Sequence, residues 1–293
     1  MLTTQQRYPF RAITERPKFQ WPEGKQLAFY VALGIEEYVF GEGLTEDLMP
    51  GASKPDYINT SWRDYGNRIG AFRLIDLFQR EKLPVSILLN TEVYDHAPQL
   101  MDYARPRVGE IIAHGLTNSD TLAGRHQDDE LRYLKAVANR IAEREGTPPM
   151  GWSSPWLAHT DNTADLLKDA GYRYVLDLGM DDQPVWLTTR SGKLLCIPYA
   201  LELNDSSTII GRQASATEFA QMIIDQFDEM LETSAQQSLV MPLVVHSFIS
   251  GQPFRLRALR RALAHIARHR DKVWFTTPGQ IADFIHASPE LAV

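Results

Sequence analysis

Leu27-Ala28-Phe29-Tyr30-Val31-Ala32-Leu33, running on into Gly34-Ile35-Glu36-Glu37-Tyr38, is the stretch that decides the fold. Seven apolar residues without a polar face read as a strand covered on both sides, as strands of a parallel sheet are. Similar runs recur at 85–89, 110–113, 150–153, 174–178, 194–198, 239–245 and 273–276. Helical stretches separate most of them. One opens at Ser61-Trp62-Arg63-Asp64 and carries Ile69, Phe72, Leu74, Ile75 and Phe78 on its apolar face. Another, 128–145, spaces Leu131, Leu134, Val137 and Ile141 at three- and four-residue intervals, which makes one helix face. Residues 161–170 stop at Gly171, 214–233 and 254–269 repeat the amphipathic pattern, and 278–286 starts on a proline. Strand and helix in alternation describe an α/β protein. No Gly-x-Gly-x-x-Gly follows the first strand and no phosphate loop occurs, so a (β/α) TIM-like barrel of about seven parallel strands is favoured over a nucleotide-binding sheet.

A chain of 293 residues suits one such barrel, and without a linker or repeat the whole of 1–293 reads as a single domain. Composition is that of a globular protein, with 44% hydrophobic and 23% charged residues. A net charge of -7 argues against nucleic acid as a partner. The single cysteine, Cys196, excludes an intrachain disulfide, fits a reducing compartment and, within Leu194-Leu195-Cys196-Ile197, reads as a core thiol. Residues 1–21 are polar and proline-punctuated, unlike a signal peptide, and no run of about 18 apolar residues occurs, so the expectation is a cytoplasmic protein with no membrane contact.

Barrel chemistry gathers on the loops after the strands. That rule selects Glu36 and Glu37 after the first strand, His114 and then Asn118 after the third, and Trp152, Ser154 and Trp156 around the fourth. Asp177 and Asp181-Asp182 follow the fifth, Asn204-Asp205 the sixth, and His246 ends the long apolar run 239–245. Alone, a carboxylate pair is usually a solvated turn, and a histidine ending a core strand is usually hydrogen-bonded structure. Convergence on one mouth makes them candidates for acid–base hydrolysis: a carboxylate takes a proton from water and a histidine gives one to a departing nitrogen. His159, His265, His269 and His286 read as surface residues, while His96 and His126 sit beside loops. Ser153-Ser154 lacks the Gly-x-Ser-x-Gly elbow of a serine hydrolase. Trp152, Trp156 and Trp186 lie near strand ends, where they could wall a flat substrate or pack the core. The long segment 38–60, rich in Gly, Pro and acids, reads as a lid, a subunit contact or a surface insertion.

The residues resemble the polysaccharide deacetylase (NodB-homology) superfamily, in its branch of metal-independent bacterial allantoinase and cyclic imide hydrolases. The resemblance covers about 7–275 and rests on Arg7-Tyr8-Pro9, Trp21-Pro22, Tyr65-Gly66-Asn67-Arg68-Ile69-Gly70, Ile197-Pro198-Tyr199 with Asn204-Asp205, and His246 followed by Gly251-Gln252-Pro253-Phe254-Arg255. It implies a distorted (β/α) barrel and a homo-oligomer. Deacetylases of the superfamily carry Asp-Asp after the first strand and His-x-x-x-His after the third; the second Asp and both His hold a divalent metal. Here those positions read Glu36-Glu37 and His114 with Asn118, and asparagine is a poor zinc ligand.

The resemblance therefore implies a metal-free hydrolase of non-peptide carbon–nitrogen bonds that opens a small cyclic imide, hydantoin or allantoin. Glu36 would be the base, His114 and Asn118 would stabilise the oxyanion, and His246 would be the acid. Glu37, Asn118, Trp152, Ser154, Trp156, Asn204 and Asp205 would contact the small-molecule substrate. The alternative keeps a metal such as zinc on Glu37, His114 and His246 and deacetylates an amino sugar. A further alternative is an inactive carbohydrate-binding barrel.

Overall fold

The computed structural model describes residues 4–43 and 46–293. Its centre is β1 (Leu27–Ile35), buried at all nine positions. β1 pairs in parallel with β2 (Val85–Leu89) along one edge and with β8 (Leu239–His246) along the other. Below the start of β2, the short β9 (Val273–Phe275) takes the same edge of β1. The sheet continues outward from β2 through β3 (Glu110–Ala113), β4 (Gly151–Trp152), β5 (Tyr174–Val175) and β7 (Gly192–Cys196), all parallel. Past β7 lies β6 (Val185–Thr189), antiparallel to it. A bridge between Asn204 and Val244 ties the chain after β7 to β8, so the sheet curls into a distorted barrel whose seam is closed by a loop.

Helices cover the outside: α1 (Tyr57–Tyr65), a wide turn Gly66–Gly70, α2 (Ala71–Arg80), α3 (Val93–His96), α4 (Pro98–Ala104), α5 (Gln127–Glu145), α6 (Thr163–Asp169), α7 (Ala216–Thr233), α8 (Ser247–Ser250), α9 (Pro253–Ile266) and α10 (Pro278–Ala287). The expected strands are present, but β4 and β5 hold two residues each, because the chain leaves the ladder early to form the mouth. β6 escaped the sequence reading: as one arm of an edge hairpin, it breaks the parallel pattern. α1 starts four residues before the expected Ser61, at a cap where the Asp56 carboxylate accepts from the Asn59 backbone N–H at 3.0 Å. No helix among the described residues is long and apolar enough to cross a membrane.

Register places the chemistry. Gly34 pairs with His246, Ile35 with Leu89, Leu89 with Ala113, and Ala113 with Trp152. The residues just beyond these pairs, Glu36, His114 and Ser153-Ser154, therefore emerge at one level beside His246.

Candidate active site

Glu36 is the centre of the mouth. It is 4% exposed, and its Oε1 lies 3.5 Å from His114 Nε2 and 3.4 Å from His246 Nε2. Burial pushes this carboxyl up, but the His246 charge and the His114 contact outweigh it and hold it below the ordinary range. Gly34 makes room for the arrangement, since a Cβ there would stand 2.8 Å from His246 Cδ2 and 3.0 Å from Glu36 Oε1.

His246 is held from behind by Asp205. Its Nδ1 is 2.6 Å from Asp205 Oδ1, and its backbone N–H donates to both carboxylate oxygens at 3.0 and 2.9 Å. Ser250 Oγ donates to Asp205 Oδ2 at 2.5 Å. Burial disfavours the imidazolium, but Glu36 and Asp205 outweigh burial and raise the pKa to about 10. His246 is thus a cation at neutral pH, with Nε2–H aimed at the mouth. His114 Nδ1 lies 2.8 Å from the Ser153 carbonyl, which can only accept, so Nδ1 carries a hydrogen, and Nε2 faces Glu36.

Three residues here were not singled out in the sequence: Tyr38, Glu46 and Ser206. Tyr38 Oη lies 2.7 Å from Glu36 Oε2 and 2.8 Å from Glu46 Oε2, while Asn118 Nδ2 donates to it at 2.8 Å. A phenol has one proton and cannot donate to two carboxylates. With Tyr38 donating to Glu36, the Glu46 contact requires a carboxylic acid donating to Tyr38. Burial and then the Glu36 charge do push the Glu46 carboxyl up, and its other oxygen accepts from Ser206 Oγ. No periodicity or motif marks Glu46, which reaches the mouth only because the 38–60 segment folds back; residues 44–45 of that segment lie outside the described ones.

A cavity of about 540 Å³ opens onto Glu36, lined also by Glu46, His114, Asn118, Trp156, Asn204 and His246, with Ser154 beside them. Ser154 Oγ accepts from Trp152 Nε1 at 2.8 Å, its own O–H has no acceptor among the described residues, and its backbone N–H donates to Asp177 at 2.7 Å. Asp177 is gripped in turn by His159 Nε2 at 2.6 Å, so His159, expected on the surface, is half-buried and braces this wall. Asn204 Oδ1 accepts from the Ser206 backbone, and its amide N–H groups have no acceptor among the described residues.

Three expected substrate contacts fall elsewhere. Asp205 is fully buried behind His246, because β8 and the loop after β7 close on it. Trp152 is fully buried against Tyr133 and Tyr172, its ring turned into the core by the strand pleat. Glu37 points the opposite way from Glu36, accepting from Asn67 Nδ2 at 3.2 Å with His96 Nδ1 3.5 Å away. Asn118, expected as an oxyanion donor, spends its amide on Glu36 (3.2 Å) and Tyr38. Trp186, another candidate wall, bonds the Pro289 carbonyl instead.

The alternative metal set is not assembled. Glu37 turns away, both imidazoles face Glu36, and among the described residues Glu37, His114 and His246 do not bring three ligand atoms within 4.8 Å of one another.

No family model matches the chain. A Schizosaccharomyces pombe protein provisionally assigned as a polysaccharide deacetylase is 26% identical over 297 residues, spanning 89% of this chain and 91% of that protein. A Helicobacter pylori peptidoglycan deacetylase is 23% identical over 271 residues, spanning 82% of this chain and 91% of that one. Among solved structures, the crystal structure of Puue allantoinase superposes with a TM-score of 0.82 at 25% identity, over 96% of this chain and 98% of that one.

Proposed function

Because the chain belongs to the polysaccharide deacetylase (NodB-homology) superfamily, on the side of the allantoinase, we propose that it hydrolyses a non-peptide carbon–nitrogen bond by opening a small cyclic amide. The observation that carries this reading is Glu36 Oε1 set 3.4 Å from a His246 Nε2 whose far nitrogen is fixed on Asp205. An ionised carboxylate beside an imidazolium is a base and an acid, both in the charge state that ring opening requires.

Water between Glu36 and the ring carbonyl gives a proton to Glu36 as its oxygen bonds to carbon. The oxyanion that forms would be polarised by the Ser154 O–H and the Asn204 amide, which line the same cavity as Glu36. The ring C–N bond then breaks as His246 Nε2–H protonates the leaving nitrogen. Afterwards the Glu36 proton returns to His246 across their 3.4 Å contact. The cavity, about 540 Å³, is within the size range of small-ligand sites. On this reading the enzyme works in the cytoplasm as a homo-oligomer and requires no metal. The relatives described as deacetylases support a second reading, removal of an N-acetyl group from an amino sugar with a divalent metal such as zinc.

The test is a ring-opening assay on succinimide, hydantoin and allantoin, with and without chelator, run beside an N-acetylglucosamine oligomer. Ring opening that survives chelation is expected. Deacetylation abolished by chelator, with no ring opening, would replace this reading by the second.

A further inference from the structure

A second set of ligand-type side chains lies far from the mouth in the fold. Asp228 on α7, His265 on α9 and His269 in the turn Ala267–His269 each offer one ligand atom, and the three atoms lie within 4.8 Å of one another. His265 Nε2 is already 2.7 Å from Asp228 Oδ1. The four-residue spacing of the histidines stacks both imidazoles on one helix face. Both rings rest on the fully buried Phe227, at centroid distances of 5.9 and 5.4 Å, which fixes their tilt and shields one side of the cluster.

Asp228 also borders a cavity of about 480 Å³ lined by Lys25, Glu232, Asp271 and Lys272. Lys25 lies two residues before β1 and Lys272 directly precedes β9, so the cluster sits at the N-terminal ends of the strands, on the face opposite Glu36.

We propose that Asp228, His265 and His269 form a zinc-class metal site that clamps α7 to α9 on the face opposite the mouth. Two imidazoles and one carboxylate are the donor set of zinc, cobalt, nickel or copper, whereas magnesium and calcium favour an all-oxygen shell. Bonds of about 2.0–2.2 Å place tetrahedral ligand atoms roughly 3.3 Å apart, a separation these side chains reach by small rotations. Three protein ligands leave a fourth position open on the cavity side for water.

The site changes how metal content is to be interpreted. Purified protein can carry zinc, and lose stability to a chelator, without any metal taking part in turnover. The cluster stands or falls independently of the cyclic-amide reading, because its ligands touch neither Glu36 nor His246.

The experiment is a zinc titration of the chelator-stripped full chain against a chromophoric indicator, with a melting curve at each zinc concentration. Wild type and H246A are expected to bind about one equivalent, with Tm rising as zinc is added. H269A and H265A are expected to lose that equivalent and the Tm response while keeping wild-type turnover. Wild-type protein that takes up no zinc overturns the proposal, and so do H265A and H269A variants that bind as before. Loss of the equivalent in H246A alone would place the metal in the mouth and overturn it equally.

Discussion

At the residue scale, the proton count around Tyr38 separates Glu36 from Glu46. E36Q removes the base and should lower kcat by about 10²–10⁴-fold with the fold intact; near wild-type turnover would remove Glu36 from the mechanism. Glu46 donates its proton to Tyr38 and accepts from Ser206, and an amide can do both. E46Q should therefore keep near wild-type turnover. E46A should lose about 10–100-fold, the equivalent of about 1.5–3 kcal/mol for a hydrogen-bond chain ending on a charged group. Equal losses in the two variants would deny that Glu46 carries a proton. The raised His246 value sets the alkaline limb of kcat/KM near pH 10, and D205N should move that limb toward the ordinary imidazole value of 6.5. Stability follows the same sign. The His246 contribution is complete below about pH 6.5 and is lost as pH rises through about 10, whereas that of Glu36 is present above its ordinary 4.5 and is lost in acid.

At the scale of elements, α8 follows His246 directly and is wedged against the Gly66–Gly70 turn with no side chain between the two backbones. A Cβ on Gly251 would lie 2.2 Å from the Ser247 carbonyl oxygen and 2.4 Å from Gly70 Cα. G251A must push α8 outward, at about 1–3 kcal/mol of overpacking, and should drag His246 off Glu36, lowering kcat as well as the urea midpoint. Removing the Ser215 cap of α7, where Ser215 and Glu218 bond reciprocally, should cost about 1 kcal/mol and leave kcat alone, a control for instability by itself. The strands were legible because a strand buried on both faces writes an unbroken apolar run, and β1, β2 and β8 are such strands. Their ends led to Glu36, His114 and His246 because register aligns them. Glu46 and the inward turn of Asp205 were illegible, since loop paths leave no period in the sequence. Trp152 is open in the sequence between mouth and core, because alternation along a two-residue strand cannot be read without its neighbours.

For the whole molecule, segment 38–60 brings Tyr38 and Glu46 into the mouth while turning Val39, Phe40, Leu48, Met49, Tyr57 and Ile58 outward. In the proposed homo-oligomer these side chains meet a second copy. Light scattering on the full chain should give a multiple of the 33.3 kDa protomer mass, reduced by F40S; a monomer at all concentrations would refute the assembly. The closing of the sheet has a consequence of its own. The seam is shut by the chain around Asn204, and the next residue, Asp205, joins Glu36 in charging His246 from across that seam. With the seam open His246 would keep Glu36 but lose Asp205, so part of its charge and the setting of its ring depend on closure of the sheet.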